Sequence, residues 1–464
     1  MVGTISALLY PRRWTSTEAL LGAYLSAVWT LPIGISIIAL VGAVLSRRAL
    51  QRPAGVPDPI FCEELLVVQV PTVGRHDIMP ALTRSVESFE RALPSHFLHW
   101  RVDVIAEEDS EAREELERLQ SSKVRVLYVP RDYRTPRGTE RKARANHWID
   151  RQRLRDGESR PDVWVLHMDD DTGIGFDSAR ELARFIIDNP ATKRRAKHVA
   201  QGVLTYPRQF SASRLAWLAD SVRPSCDLSV FRVATGGGRP LFGAHGELLL
   251  VRASVESSIG WDFGRLLSIT EDANFALLFA SRYPGASGWV PARCYGSSPE
   301  SMRDLITQRK RWARGLLHVA RNREVPFRSR ILLGYAMSSW VLGPFQHVLV
   351  VLLVAGALGI RYTAPVQPWL LVPWALNMAS GLWMYVEGLR VNAHASGLKR
   401  PKAGHWLGLL LFPFFSLIEG WAALRGLGAF LLDLTGIRRG DLFEVIPKSY
   451  DGAPETQRGE TSVA

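Results

Sequence analysis

The sequence predicts an α/β domain with a mostly parallel sheet, joined to transmembrane helices on both sides. Two observations carry that reading. Short β-rich runs at 65–70 (LLVVQV), 102–106 (VDVIA), 124–129 (VRVLYV), 163–168 (VWVLHM) and 199–205 (VAQGVLT) alternate with helical patterns near 77–93, 110–120, 138–155 and 177–188. Strands alternating with helices build parallel sheets, and such sheets bind ligands at the carboxyl ends of their strands. Second, a mean hydropathy of zero conceals two populations. Residues 19–45 and 330–436 are rich in Leu, Val, Ala, Gly and Trp, whereas 46–329 are charged.

The apolar run 19–45 is long enough to cross about 30 Å of hydrocarbon. It lacks a small-residue cleavage site and reads as an anchor, with Pro32 as a kink point. Arg47, Arg48 and Arg52 follow it and place residue 46 onward in the cytosol, although Arg12 and Arg13 pull the other way. Segments 331–360 and 368–389 read as two further spans. Segment 404–436, interrupted by Pro413, Glu419 and Arg425, reads as a tilted span, a re-entrant pair or an interfacial helix. The organisation expected is an anchor over 1–46, a soluble domain over 60–330 with an interfacial helix at its end, membrane helices over 331–436 and a polar tail over 437–464.

The formal net charge is +12. Much of the Lys and Arg lies beside the apolar stretches, which points to lipid headgroups or phosphate-bearing ligands rather than nucleic acid, for which no motif is present. The three cysteines, Cys62, Cys226 and Cys294, are far apart and form no disulfide or zinc pattern. That fits a reduced, cytosol-facing domain.

Three elements carry chemistry. His167-Met168-Asp169-Asp170-Asp171-Thr172 closes the run 163–168. In extended chain, residues two apart project to one side, so Asp169 and Asp171 are expected to converge. Two such carboxylates suit Mg²⁺ or Mn²⁺ shared with phosphate; the plainer reading is a solvated acidic turn. Thr270-Glu271-Asp272 opens a helical run, where an acid is either a cap or a general base. Gln308, Arg311 and Trp312 share a helix face at i, i+3 and i+4. Arg grips diphosphate with a forked geometry and Trp offers a flat surface to a sugar ring. The plainer reading is an amphipathic helix at a membrane surface, with Arg309, Lys310 and Arg314 also available to headgroups.

In this order the elements resemble glycosyltransferase family 2, the membrane-bound synthase branch: a strand-end acid, DxD, ED, QxxRW, then transmembrane helices. The resemblance covers roughly residues 60–330 and implies a GT-A (Rossmann-like) fold there. It implies that Pro71 and Glu107 contact the nucleoside, although the family carries Asp at the position of Glu107. Lys142, in ERKARAN, and Arg311 would lie by the donor diphosphate, as would Asp169, which binds the metal with Asp171. Asp272 would be the catalytic base, and Trp312, His245, Glu271 and Gln308 would face the acceptor. The stretches QGVLTYPRQ, WLADSVRPSCD, RPLFGAHGE and SPESMRDLITQRKRWARGLL are similar to the egghead-type β-1,4-mannosyltransferases. That likeness implies a GDP-mannose donor, a glycolipid or saccharide acceptor, Mg²⁺ or Mn²⁺, inversion to a β linkage, and an integral protein of the plasma membrane with its catalytic domain in the cytosol. A processive mannan, cellulose-like or hyaluronan-like synthase using a GDP- or UDP-sugar shares these motifs; product length separates the two.

Overall fold

Eight strands form one sheet: β1 Leu65–Pro71, β2 Trp100–Glu107, β3 Val124–Val129, β4 Val163–His167, β5 Gly173–Ile174, β6 Val199–Thr205, β7 Leu249–Arg252 and β8 Ser287–Tyr295. The computed structural model describes residues 16–50, 60–347, 358–359 and 368–436. The sheet order is β3-β2-β1-β4-β7-β6-β8-β5. Strands β3, β2, β1 and β4 run parallel, as do β6 and β8. β7 is antiparallel to both β4 and β6, and β5 to β8. The chain therefore adopts the α/β class expected, its sheet parallel through the first four strands and with antiparallel pairings in its second half. All five β-rich runs named above are strands. The three additional strands carry weaker signals: β5 and β7 are short, and β8 contains Pro291. A proline removes a ladder hydrogen bond, and here it falls where the β6–β8 register shifts, between Gln201 and Val203.

The helices used below are α1 Ser16–Thr30, α2 Ile33–Leu50, α3 Met79–Ala92, α4 Arg141–Arg155, α5 Phe176–Ile187, α6 Glu271–Arg282, α7 Met302–Arg321, α8 Phe327–Leu342, α9 Leu371–Ala395 and α10 Phe412–Leu434. On one face of the sheet, α3 and α5 bury Leu82, Val86, Phe89, Leu182 and Ile186 against Val68, Val102 and Leu166. On the other, Ala145 and Ile149 of α4 cover Ile105 and Val129. Layers on both faces explain why β1 and β4 read as continuous apolar runs rather than alternating ones.

Two described helical stretches are long and apolar enough to cross a membrane, Gly22–Arg47 and Ala403–Leu434. The first is interrupted between α1 and α2 at Leu31 and Pro32, the expected kink point. In the second, Pro413 lies in the first turn of α10, where it costs no helical hydrogen bond, so α10 continues unbroken past Glu419 and Arg425. The expected span 368–389 falls mostly in α9, which packs on the α/β domain and on the N-terminal helices. Gly388 meets the Ser221 carbonyl so closely that no Cβ fits. Asn392 accepts from the Tyr206 amide at the end of β6 (2.8 Å), and Asn377 donates to the Trp29 carbonyl (2.8 Å). The span 331–360 begins in α8, but most of its second half lies outside the described residues, as do Arg12, Arg13, Arg52 and the tail 437–464.

Candidate active site

The carboxyl ends of β1, β2 and β4 open into a cleft of about 700 Å³. It is lined by every residue singled out from the sequence: Pro71, Glu107, Lys142, Asp169, Asp171, His245, Glu271, Asp272, Gln308, Arg311 and Trp312.

The acidic segment is a turn rather than extended chain. β4 ends at His167, and the Thr172 amide donates to the Asp169 carbonyl at 3.2 Å. The two-residue alternation expected for Asp169 and Asp171 therefore does not apply, because the backbone reverses between them. The turn still brings both to the cleft. Asp170 is also there, its Oδ2 accepting from Thr72 Oγ1 at 2.9 Å. Asp171 is 5% exposed.

Lys142, in the first turn of α4, donates from Nζ to Asp169 Oδ1. Burial alone would depress this ammonium, but Asp169, Glu271 and Glu247 outweigh burial and raise it. Its neighbour Arg141 also lines the cleft, with a left-handed φ of +57°. A non-glycine residue in that region carries strain of order 1–3 kcal/mol, and such strain clusters at functional sites. Glu107, at the end of β2, accepts a hydrogen bond from Arg144 Nη1 and is thereby neutralised from α4.

Glu271 and Asp272 start α6. Asp272 Oδ1 accepts from the Ala273 amide at 2.7 Å. Burial first, then the Asp272 charge, push Glu271 up to about 8, against the pull of Lys142. Burial likewise raises Asp272, with Lys142 opposing. Stability carried by neutral Glu271 is present at acid pH and is lost as pH rises through about 8.

Two glycines set the spacing of these elements. A Cβ on Gly315 of α7 would lie 2.6 Å from Thr270 Oγ1, so α7 approaches α6 closely one turn after Arg311. A Cβ on Gly246 would lie 2.4 Å from Lys142 Nζ and 3.4 Å from Asp272 Oδ2. Gly246→Ala is expected to push the ammonium off Asp169. Because a flexible side-chain tip yields, Tm should change little while donor KM rises roughly tenfold, the factor for about 1.4 kcal/mol. Unchanged donor KM would detach Lys142 from donor binding.

His245 is more deeply engaged than the sequence suggests. Its Nε2 lies 2.9 Å from Asp227 Oδ1 and its Nδ1 3.1 Å from Glu247 Oε2. Burial opposes a charge on the ring, but Asp227 and Glu247 prevail and hold it at about 9. An imidazolium bridging two carboxylates fixes the 243–247 loop, with both ring nitrogens occupied within the protein.

On α7, Gln308, Arg311 and Trp312 reach the cleft as expected. The neighbouring arginines do not turn to headgroups. Arg309, 2% exposed, donates to Asp220 and, at 2.8 Å, to Glu419 of α10. Arg314 pairs with Asp433 at the end of α10, and His318 meets the same carboxylate at 2.8 Å. The acids lie far away in sequence, which is why an amphipathic reading placed these cations outside. The Trp312 ring lies beneath two guanidiniums, Arg309 at 4.4 Å and Arg223 at 5.2 Å.

Arg141, Arg223 and Glu247 also line the cleft without having been singled out. Arg223 and Glu247 lie inside the quoted stretches WLADSVRPSCD and RPLFGAHGE, but nothing local marks them. Their signal is tertiary.

Residues 164–385 match the profile of glycosyl transferase family group 2. The β-1,4-mannosyltransferase egh of Drosophila melanogaster is 29% identical over 315 residues, 66% of this chain and 65% of the relative. The β-1,4-mannosyltransferase bre-3 of Caenorhabditis elegans is 27% identical over 312 residues, again 66% and 65%. The chain thus spans slightly less than two thirds of the length of these curated relatives. The mannosyltransferase PcManGT from Pyrobaculum calidifontis, solved with GDP-Man and Mn²⁺, superposes with a TM-score of 0.48 at 15% identity, over 88% of this chain and 99% of that one. The matched stretch, from Trp164 to Tyr385, runs through the acidic turn, the Glu271–Asp272 pair and α7, so the likeness to glycosyl transferase family group 2 takes in most of the cleft.

Proposed function

We propose that this chain is an inverting, metal-dependent glycosyltransferase that moves mannose from GDP-mannose to a lipid-linked or saccharide acceptor with β linkage, its cleft facing the cytosol at the plasma membrane. What carries the reading is the meeting, in one strand-end cleft, of Asp169 and Asp171, Lys142 and Arg311, and the Glu271–Asp272 pair. The likeness to named β-1,4-mannosyltransferases supports mannose as the sugar.

The donor set at the acidic turn fits a hard divalent ion. Among the described residues no group of three His, Cys, Asp or Glu forms a metal cage. Mg²⁺ and Mn²⁺ sites of this kind take one or two carboxylates and complete their shell with substrate phosphate and water. Asp169 and Asp171 would hold the ion, which supplies charge neutralisation for the departing diphosphate. The remaining work belongs to side chains. Lys142 and Arg311 place positive charge where the leaving group develops its negative charge. Pro71 and Glu107 border the nucleoside end, with Arg144 orienting Glu107. Trp312, Gln308 and His245 shape the acceptor side. Asp272 takes the proton of the attacking hydroxyl while neutral Glu271 adds no repelling charge. A single base facing an α-linked donor yields a β-linked product.

The test is nucleotide release by the detergent-purified chain with GDP-mannose, UDP-glucose, UDP-N-acetylglucosamine or UDP-galactose, in Mn²⁺, Mg²⁺ or EDTA, with and without lipid extract. Release of GDP from GDP-mannose alone, stopped by EDTA, is the expected result. Release from a UDP-sugar instead removes the mannose assignment. Asp171→Ala is expected to weaken metal-dependent donor binding by roughly tenfold or more, and an unchanged metal titration would remove Asp171 from the ion.

A further inference from the structure

A second hollow, of about 510 Å³, lies between α7 and α10, lined by Arg303, Ile306, Thr307, Lys310 and Arg425. It holds three cations and no acid. Arg303 and Arg425 are both exposed, and neither makes a side-chain hydrogen bond or ion pair with a described residue. Arg425 is the one basic residue of a mostly apolar helix. The other charges of α10, Glu419 and Asp433, both face α7 and are paired. On α10, Phe414, Ile418, Trp421 and Arg425 follow at spacings of four, three and four, which puts them on one face. Phe414 and Trp421 are 52% and 53% exposed, and Leu410 and Leu411 precede them, also exposed. One face of α10 therefore offers an apolar stripe roughly 20 Å long that ends in a cationic hollow. Arginine forks match phosphate oxygens, and a hydroxyl such as that of Thr307 adds a donor.

We propose that this hollow binds the phosphate of an anionic glycerophospholipid, whose acyl chain lies along the Phe414–Trp421 stripe. The stripe and the exposed apolar surface around it favour a lipid over a free phosphate. A basic side chain near an anionic lipid surface contributes about fivefold in affinity, so two together give roughly 25-fold.

The experiment uses the full chain in detergent, exposed to an equimolar mixture of phosphatidylglycerol and phosphatidylcholine, with retained lipid counted by native mass spectrometry. The wild type is expected to retain phosphatidylglycerol preferentially. The double variant Arg303→Gln/Arg425→Gln should lose that preference roughly 25-fold, and Arg303→Lys/Arg425→Lys should keep most of it, which separates lost charge from misfolding. Equal retention of the two lipids, or an unchanged double glutamine variant, overturns the proposal. Displacement of phosphatidylglycerol by inorganic phosphate would identify a free-phosphate site instead. Preferential retention of an added polyprenyl phosphate would make the hollow an acceptor site. Either result also overturns it.

Discussion

Asp272→Asn is expected to lower sugar transfer by about 10²–10⁴-fold, the range general-base catalysis supplies, while leaving donor binding unchanged. Asparagine keeps the shape, and its Oδ1 still accepts from the Ala273 amide, so α6 keeps its start. What disappears is the basic oxygen. The substitution also removes part of the repulsion that holds Glu271 at about 8, so Glu271 ionises at lower pH in the variant. Residual activity carried by Glu271 would then disappear in Glu271→Gln/Asp272→Asn. In the wild type, activity should fall on the acid side with an apparent pKa above the ordinary aspartate value, because burial raises Asp272. Turnover by Asp272→Asn within threefold of wild type would remove Asp272 as the base.

Arg309→Met is expected to cost about 3–5 kcal/mol of stability, the range for breaking a buried ion pair from one side. Arg309 is the shared partner of Asp220, which has no exposed surface, and of Glu419. Its loss strands both carboxylates. Burial already pushes Asp220 upward, and Arg309 is the main force pulling it back. In the variant Asp220 therefore accepts a proton more readily, and the loss of Tm in detergent should shrink as pH falls. Activity should fall as well, since Arg309 also bonds Gln308 and lies over the Trp312 ring. A Tm equal to wild type at neutral pH would show that α10 does not depend on this pair.

The parts of the fold visible in the sequence are those where one residue type dominates a short window. LLVVQV and VDVIA are runs rich in β-branched residues and almost wholly buried, VRVLYV is an edge run of the same type that alternates, and all three are strands. SGWVPARCY hides its strand because Gly288 and Pro291 argue against one locally, while its pairing with β6 exists only in three dimensions. The site divides in the same way. Asp169, Asp171, Asp272 and Trp312 stand in recognisable short patterns and all reach the cleft. The helix face set Arg311 apart from Arg309, but it could not show where Arg309 goes, since the acids that claim it, Asp220 and Glu419, are 89 and 110 residues away. His245 stands in a legible stretch, but Asp227, which its Nε2 meets at 2.9 Å, carries no local signal.

Helix α7 is occupied on more than one side. Gln308, Arg311, Trp312 and Gly315 face the cleft and α6, while Arg309, Arg314 and His318 are tied to Asp220 or α10. Each residue of an α-helix advances the azimuth by about 100°. A single insertion or deletion between Gln308 and Arg314 would therefore rotate everything after it by that angle, carrying Arg314 and His318 away from Asp433 or Gln308 out of the cleft. This stretch has a fixed angular phase. Substitutions there act one side chain at a time, but a change of length disconnects the cleft from the helix beside it in a single step.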